Sequence, residues 1–140
     1  MYSKVIKYVD YNGTEREETF LFNLSKAELM EMELTTTGGL GEMINKIIET
    51  QDIPELIKIF KELILKSYGV KSPDGKQFIK SAEIAQGFSQ TEAYSNLFME
   101  LVHDDKAASD FINGIIPKDI NTEEAKNQIK NIPAPPLHTV

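Results

Sequence analysis

His103-Asp104-Asp105 sets an imidazole beside two carboxylates, the residue types that ligate a divalent metal. Adjacent positions do not converge on one ion from a helix end, and no second histidine stands three or four residues away. The run reads better as a junction: His103 closes one helix, where the macrodipole favours a cation, and Asp104 or Asp105 opens the next. Gly38-Gly39-Leu40-Gly41 ahead of an apolar-periodic run invites a phosphate loop. It lacks a preceding strand, a Gly-Lys-Ser/Thr ending and the third glycine of the dinucleotide fingerprint. Glu42 would also put negative charge where phosphate should sit. Glu28, Glu31 and Glu33, or Glu42 and Glu49, could pair as acid and base, but on amphipathic helices such residues form the solvated face. Ser67, Ser72, Ser81, Ser89, Ser95 and Ser109 stand in no nucleophile elbow, and His138 has no carboxylate beside it. These residues point to no catalytic site, no metal and no cofactor.

The elements that position them centre on Ile53–Tyr68, IPELIKIFKELILKSY. At 100° per residue its apolar side chains spread over roughly 240°. An ordinary surface helix shows little more than 100°, so this one should be surrounded by neighbours. Asp52 suits its N-cap, Pro54 its first turn and Gly69 a left-handed stop. Phe60 sits mid-arc, whereas Lys58 lies on the narrow polar strip.

Before it, Tyr2–Asp10 and Thr14–Leu24 read as a hairpin, turned at Asn12-Gly13. Ser25-Lys26-Ala27-Glu28 is a capping box for a short helix with Leu29, Met30 and Met32 or Leu34 inward. Thr35 to Gly39 should end it. Leu40, Met43, Ile44, Ile47 and Ile48 then make a helical stripe. After the central helix, Pro73-Asp74-Gly75 marks a small loop or mini-hairpin between Val70 and Phe78. Ser81 should start a short helix that Gly87 stops. Ser89-Gln90-Thr91-Glu92 reads as a second capping box, followed by a stripe of Tyr94, Leu97, Phe98, Leu101 and Val102. A last core helix turns Ala108, Phe111, Ile112 and Ile115 inward and ends at Pro117. The fold class expected is α+β, mostly α: an N-terminal β-hairpin packed on a bundle of about five to six short helices around the central helix 53–68. One globular domain, 1–118, should comprise the hairpin (2–24) and the helical core (25–117). Residues 119–140, with Thr122–Lys130 at most a loosely held helix and a Pro-containing end, should form a flexible tail.

Composition agrees with that picture. At 41% hydrophobic and 26% charged, 140 residues make an ordinary globular chain able to bury roughly two-thirds of its unfolded surface. A net charge of −7 with no basic stripe argues against nucleic acid. The absence of cysteine excludes disulfides and thiolate metal sites. No stretch approaches membrane-spanning length and Met1–Gly13 has no signal-peptide core, so the chain is expected to work where it is made, away from membranes.

The second half resembles a known family. KELILKSYGVKSPDGKQFIKS and FSQTEAYSNLFMELVHDDKAASDFINGIIP are similar to the tail assembly chaperones of long-tailed phages and prophages of Gram-positive hosts, a likeness covering about Leu40–Pro117. Its most specific parts are Ser67-Tyr68-Gly69, Asp74-Gly75, Phe78-Ile79-Lys80, Tyr94 to Phe98, and Ala107-Ala108 through Phe111 to Ile115. All are core and turn positions. The resemblance implies a non-enzymatic siphovirus protein without cofactors, working in the host bacterial cytoplasm. It would coat the aggregation-prone tape-measure protein until the tail tube polymerises, then leave before the virion matures. Partners implied are the tape-measure protein and, beyond it, the tail-tube protein, a second copy, or a longer form made by ribosomal frameshifting. Two other readings stand beside it: a structural or connector protein retained in the particle, and a small host-directed regulator. Candidate partner-binding residues are the hairpin aromatics Tyr2, Tyr8 and Tyr11 and the edge formed by Met30, Met32 and Leu34, where apolar groups exceed what one small core absorbs.

Overall fold

The computed structural model describes residues 1–35 and 53–117, with side chains over 1–32 and 54–117. Strands β1 (Tyr2–Val9) and β2 (Glu15–Phe22) pair antiparallel, from Tyr2 opposite Phe22 to Val9 opposite Glu15. Their turn is the loop Tyr11-Asn12-Gly13. The Asp10 amide donates to the Thr14 carbonyl, the Gly13 amide donates to the Asp10 carbonyl, and Gly13 takes φ +81°, which a side chain would oppose. The Asp10 carboxylate accepts from the amides of Asn12 and Thr14 and from Arg16 Nε at 2.6 Å.

Period-two alternation gives the hairpin two unlike faces. Tyr2, Ile6, Tyr8, Phe20 and Phe22 turn toward the helices, while Val5, Lys7, Val9, Glu15, Glu17 and Thr19 turn to solvent. Helix α1 (Lys26–Thr35) follows, with its capping box formed on both sides: Glu28 N donates to Ser25 Oγ at 3.1 Å and Ser25 N to Glu28 Oε1 at 2.8 Å. Leu29 and Met32 are buried, but Met30, expected inward, is exposed.

Helix α2 (Ile53–Ser67) buries Ile59, Phe60, Leu63 and Ile64. It stops one residue before the expected end, and Gly69 is not its left-handed stop, since positive φ among the described glycines belongs to Gly13 and Gly75. Tyr68 instead opens β3 (Tyr68–Lys71), pairing with Phe22 while Gly69 pairs with Leu21. Sheet pairing competes for Tyr68, and the Ser67 hydroxyl, fully buried, donates back to the Leu63 carbonyl at 2.7 Å. Gly69 is needed for another reason: a Cβ there would stand 2.7 Å from the Phe78 ring and 3.0 Å from the Ile79 carbonyl. The Pro73-Asp74-Gly75 turn joins β3 to β4 (Phe78–Ile79), completing a sheet of order β1-β2-β3-β4.

Helix α3 (Ala82–Ser89) starts at the Ser81 cap as expected but runs through Gly87. Phe88, buried in its last turn, stacks on Tyr68 at 4.2 Å between ring centroids, and that contact outweighs the glycine's preference. Ser89 therefore belongs to α3, and the cap of α4 (Glu92–His103) is Thr91, whose hydroxyl accepts from the Tyr94 amide. Asp104 caps α5 (Asp105–Ile115), accepting from the amides of Lys106 and Ala107. The core is a ring-rich wedge between sheet and helices: Phe22 touches Tyr2, Tyr68, Phe88 and Phe111. The chain is α+β and mostly α, as expected. The Gly38–Gly41 loop, the Leu40–Ile48 stripe, the Asp52 cap and everything from Lys118 onward lie outside the described residues.

Candidate interaction surface

Of the six candidate residues, the hairpin alternation sends Tyr2 and Tyr8 toward the helices. Tyr2 meets Phe111 edge-on at 5.4 Å and abuts Gly114, where any Cβ would collide with it. Burial pushes its phenol up, and the carboxylates of Glu100 and Asp110 add to the shift against Lys4. Tyr8 donates to Glu18 Oε1 at 2.6 Å, a bond that also raises its phenol. Met32 is buried beneath α1. Tyr11 and Met30 are the two presented to solvent, at 77% and 51% exposure. The side chain of Leu34 lies outside the described residues. The six do not converge on one spot: Tyr11 stands at the hairpin tip, Met30 on α1.

Tyr11 is anchored nonetheless. Its hydroxyl donates to Glu92 Oε2 at 3.1 Å, which raises the phenol and ties the hairpin tip to the start of α4. Further along the same helix, Asn96 Nδ2 donates to the Lys7 carbonyl at 3.1 Å and Glu100 accepts from Lys4 Nζ at 3.0 Å. Glu92, Asn96 and Glu100, four residues apart, thus form a polar stripe along the outer edge of β1. Partial burial pulls the Lys4 ammonium down, but the bond to Glu100 outweighs it and leaves the group above its ordinary value.

At the other side of the sheet, Lys80 Nζ donates to both Glu28 oxygens, at 2.9 and 2.7 Å, and to the Asn23 carbonyl at 2.6 Å. The same ammonium stands 5.6 Å from the centre of the Phe78 ring. Partial burial would push the Glu28 carboxyl up; hydrogen bonds from Lys80 and Ser25 pull harder and hold it below the usual range. This clamp fastens α1 to the end of β4. Beside it a cleft of about 410 Å³ is lined by Leu24, Glu28, Glu31, Met32 and Lys66.

Two features escaped sequence reasoning. The clamp joins residues 52 positions apart, which no local pattern encodes. Exposed apolar residues also include Met1, Val5 and Val9 along the solvent face of β1 and, separately, Met99 on α4. Placing Tyr2, Ile6 and Tyr8 inward would have put Val5 and Val9 outward, so that signal was present in the alternation.

None of these groups makes a catalytic set. Among the described residues no three His, Asp or Glu side chains assemble to hold a metal ion. His103 turns its Nδ1 to the Met99 carbonyl, and Ser72, Ser81 and Ser89 are engaged in turns and helix ends. Among the described residues no helix is long and apolar enough to cross a membrane. No curated protein and no solved structure matches the chain significantly. The model of one family, described as phage tail assembly chaperone, matches residues 1–139, hairpin and helices together. With the match spanning nearly the whole sequence, the chain belongs to the phage tail assembly chaperone family.

Proposed function

We propose that this protein binds the tape-measure protein of its phage and keeps it soluble while the tail tube polymerises. The observation that carries the reading is the family match across residues 1–139. An acidic chain with exposed Tyr11, Met30 and Met99 supports it, because apolar contacts surrounded by like charge suit a reversible coat that stays dispersed. The role needs no cofactor and is non-enzymatic. It places the protein in the host bacterial cytoplasm during assembly and leaves it out of the finished virion. The tail-tube protein and a frameshifted longer form are further partners under the same reading.

Co-expression tests it. The tape-measure protein made alone should sediment with the insoluble fraction, and with this chaperone a large part should stay in the supernatant and co-purify. Unchanged solubility would overturn the reading. Mass spectrometry of purified virions should find no peptides of this chain; stoichiometric recovery would instead indicate a structural component of the particle.

A further inference from the structure

We propose that Asn12 is a self-modification site, where the Gly13 amide displaces the asparagine's own carboxamide nitrogen and the hairpin tip comes to carry an isoaspartate. The chain holds two Asn-Gly pairs, Asn12-Gly13 and Asn113-Gly114, and one Asp-Gly pair, Asp74-Gly75. In each, the glycine has no side chain to screen its nitrogen from the carbon that it would attack. The fold separates the three.

Asn12 is exposed at the tip of the β1–β2 hairpin, and among the described residues its carboxamide has no hydrogen-bond partner. Only its main-chain N–H is held, by the Asp10 carboxylate at 2.9 Å. The Gly13 amide donates to the Asp10 carbonyl at 2.9 Å and is freed when this one turn opens. A loop tip opens at far smaller cost than an element packed into the fold. Asn113 is exposed as well, so exposure does not rank the pairs. Its neighbour Gly114 lies inside α5, its N–H in the helical ladder and Tyr2 packed where a Cβ would be. Attack there requires the end of α5 to unwind and lift from β1. Asp74 Oδ1 accepts from the Ser72 hydroxyl at 2.8 Å and the Lys76 amide at 3.0 Å. An ionised carboxylate also resists a nucleophile, whereas the Asn12 carboxamide is neutral.

Water is the only co-reactant, and nothing is oxidised or reduced. Hydroxide takes the Gly13 amide proton, and that nitrogen bonds to Asn12 Cγ as the Cγ–Nδ2 bond breaks. Nδ2 leaves as ammonia with a proton from water, which restores the hydroxide and leaves a five-membered succinimide. Water then opens the ring. Attack at the former main-chain carbonyl gives isoaspartate, and attack at Cγ gives aspartate. In isoaspartate the main chain runs through Cβ and Cγ, one atom longer, between Asp10 and Thr14, whose pairing closes the hairpin. A new carboxylate also stands beside that of Asp10. Tyr11 loses the turn geometry that carries its hydroxyl to Glu92, so ageing releases this exposed aromatic from α4.

Incubation of the full chain at mildly alkaline pH, followed by tryptic mapping and isoaspartyl methyltransferase labelling, tests the site. The peptide Tyr8–Arg16 should gain isoaspartate at least tenfold faster than the peptides holding Asn113 or Asp74. Its rate should climb with hydroxide concentration. In urea the two Asn-Gly pairs should react at similar rates, since the fold that separated them is gone. Asn12→Gln can close only a slower six-membered ring, and should remove the label from the tip while the circular dichroism spectrum stays unchanged. A Tyr8–Arg16 peptide that stays intact in the native chain but converts in urea would overturn the proposal, because the turn would then hold the amide out of reach. Equal native rates at Asn12 and Asn113, or a tip label that survives Asn12→Gln, would overturn it as well.

Discussion

Phe60 and Lys58 lie two positions apart on one helix and meet opposite environments. Phe60 is 1% exposed in the middle of the core, so Phe60→Ala should cost about 3–5 kcal/mol, read from urea melts. Lys58 is exposed, and Lys58→Ala should stay within about 0.5 kcal/mol. Equal losses would mean that the helix is turned differently. Lys80 carries more than a surface lysine usually does. Lys80→Met leaves the Asn23 carbonyl and a partly buried Glu28 carboxylate without their donor, a loss of about 1 kcal/mol once solvent access to the carboxylate is discounted. Glu28 also sets a pH dependence. Its folded value lies below the ordinary 4.5, so its stabilisation is fully present above that pH and fades as the pH falls through the folded value. Glu28→Gln should therefore be costly near neutrality and flatten the acid limb of a pH–melting curve below about 4.5; a wild-type limb unaltered by the substitution would exclude the clamp as its source.

At the scale of elements, boundaries are decided by what competes for the end residues. Helix α5 begins where Asp104 satisfies two orphan amides, and Asp104→Ala should lower stability by about 0.5–2 kcal/mol in thermal or urea melts. The fit of α5 against β1 is tighter still. A Cβ at Gly114 would stand 2.9 Å from both Cβ and Cγ of Tyr2, and no rotamer change carries that Cβ away. Gly114→Ala should cost about 1–3 kcal/mol by overpacking, despite alanine's better helix propensity. Combined with Tyr2→Ala, which removes the ring but keeps that Cβ, part of the cost should vanish in a double-mutant cycle, and simple additivity would show that strand and helix do not meet there.

At the scale of the whole molecule, the described core closes with Ile115 and Ile116, and the Ile115 carbonyl accepts from the Leu24 amide where β2 leads into α1. Truncation after Pro117 should therefore leave the melting temperature nearly unchanged; a fall of many degrees would mean that residues beyond 117 complete the core. Much of this fold was legible in the chain. The hairpin, the Ser25, Ser81 and Asp104 caps and the inward stripes of α4 and α5 follow from local rules, since the period of apolar residues and the chemistry of a cap act over a few positions. Tertiary structure alone decided where local signals conflicted. Tyr68 left its helix because Phe22 offered a strand partner, and Gly87 stayed in its helix because Phe88 found Tyr68. It alone joined Lys80 to Glu28 and ran α4 along the free edge of β1. Those arrangements depend on which faces meet after the chain has turned back on itself, and residues far apart in sequence carry no mark of that meeting.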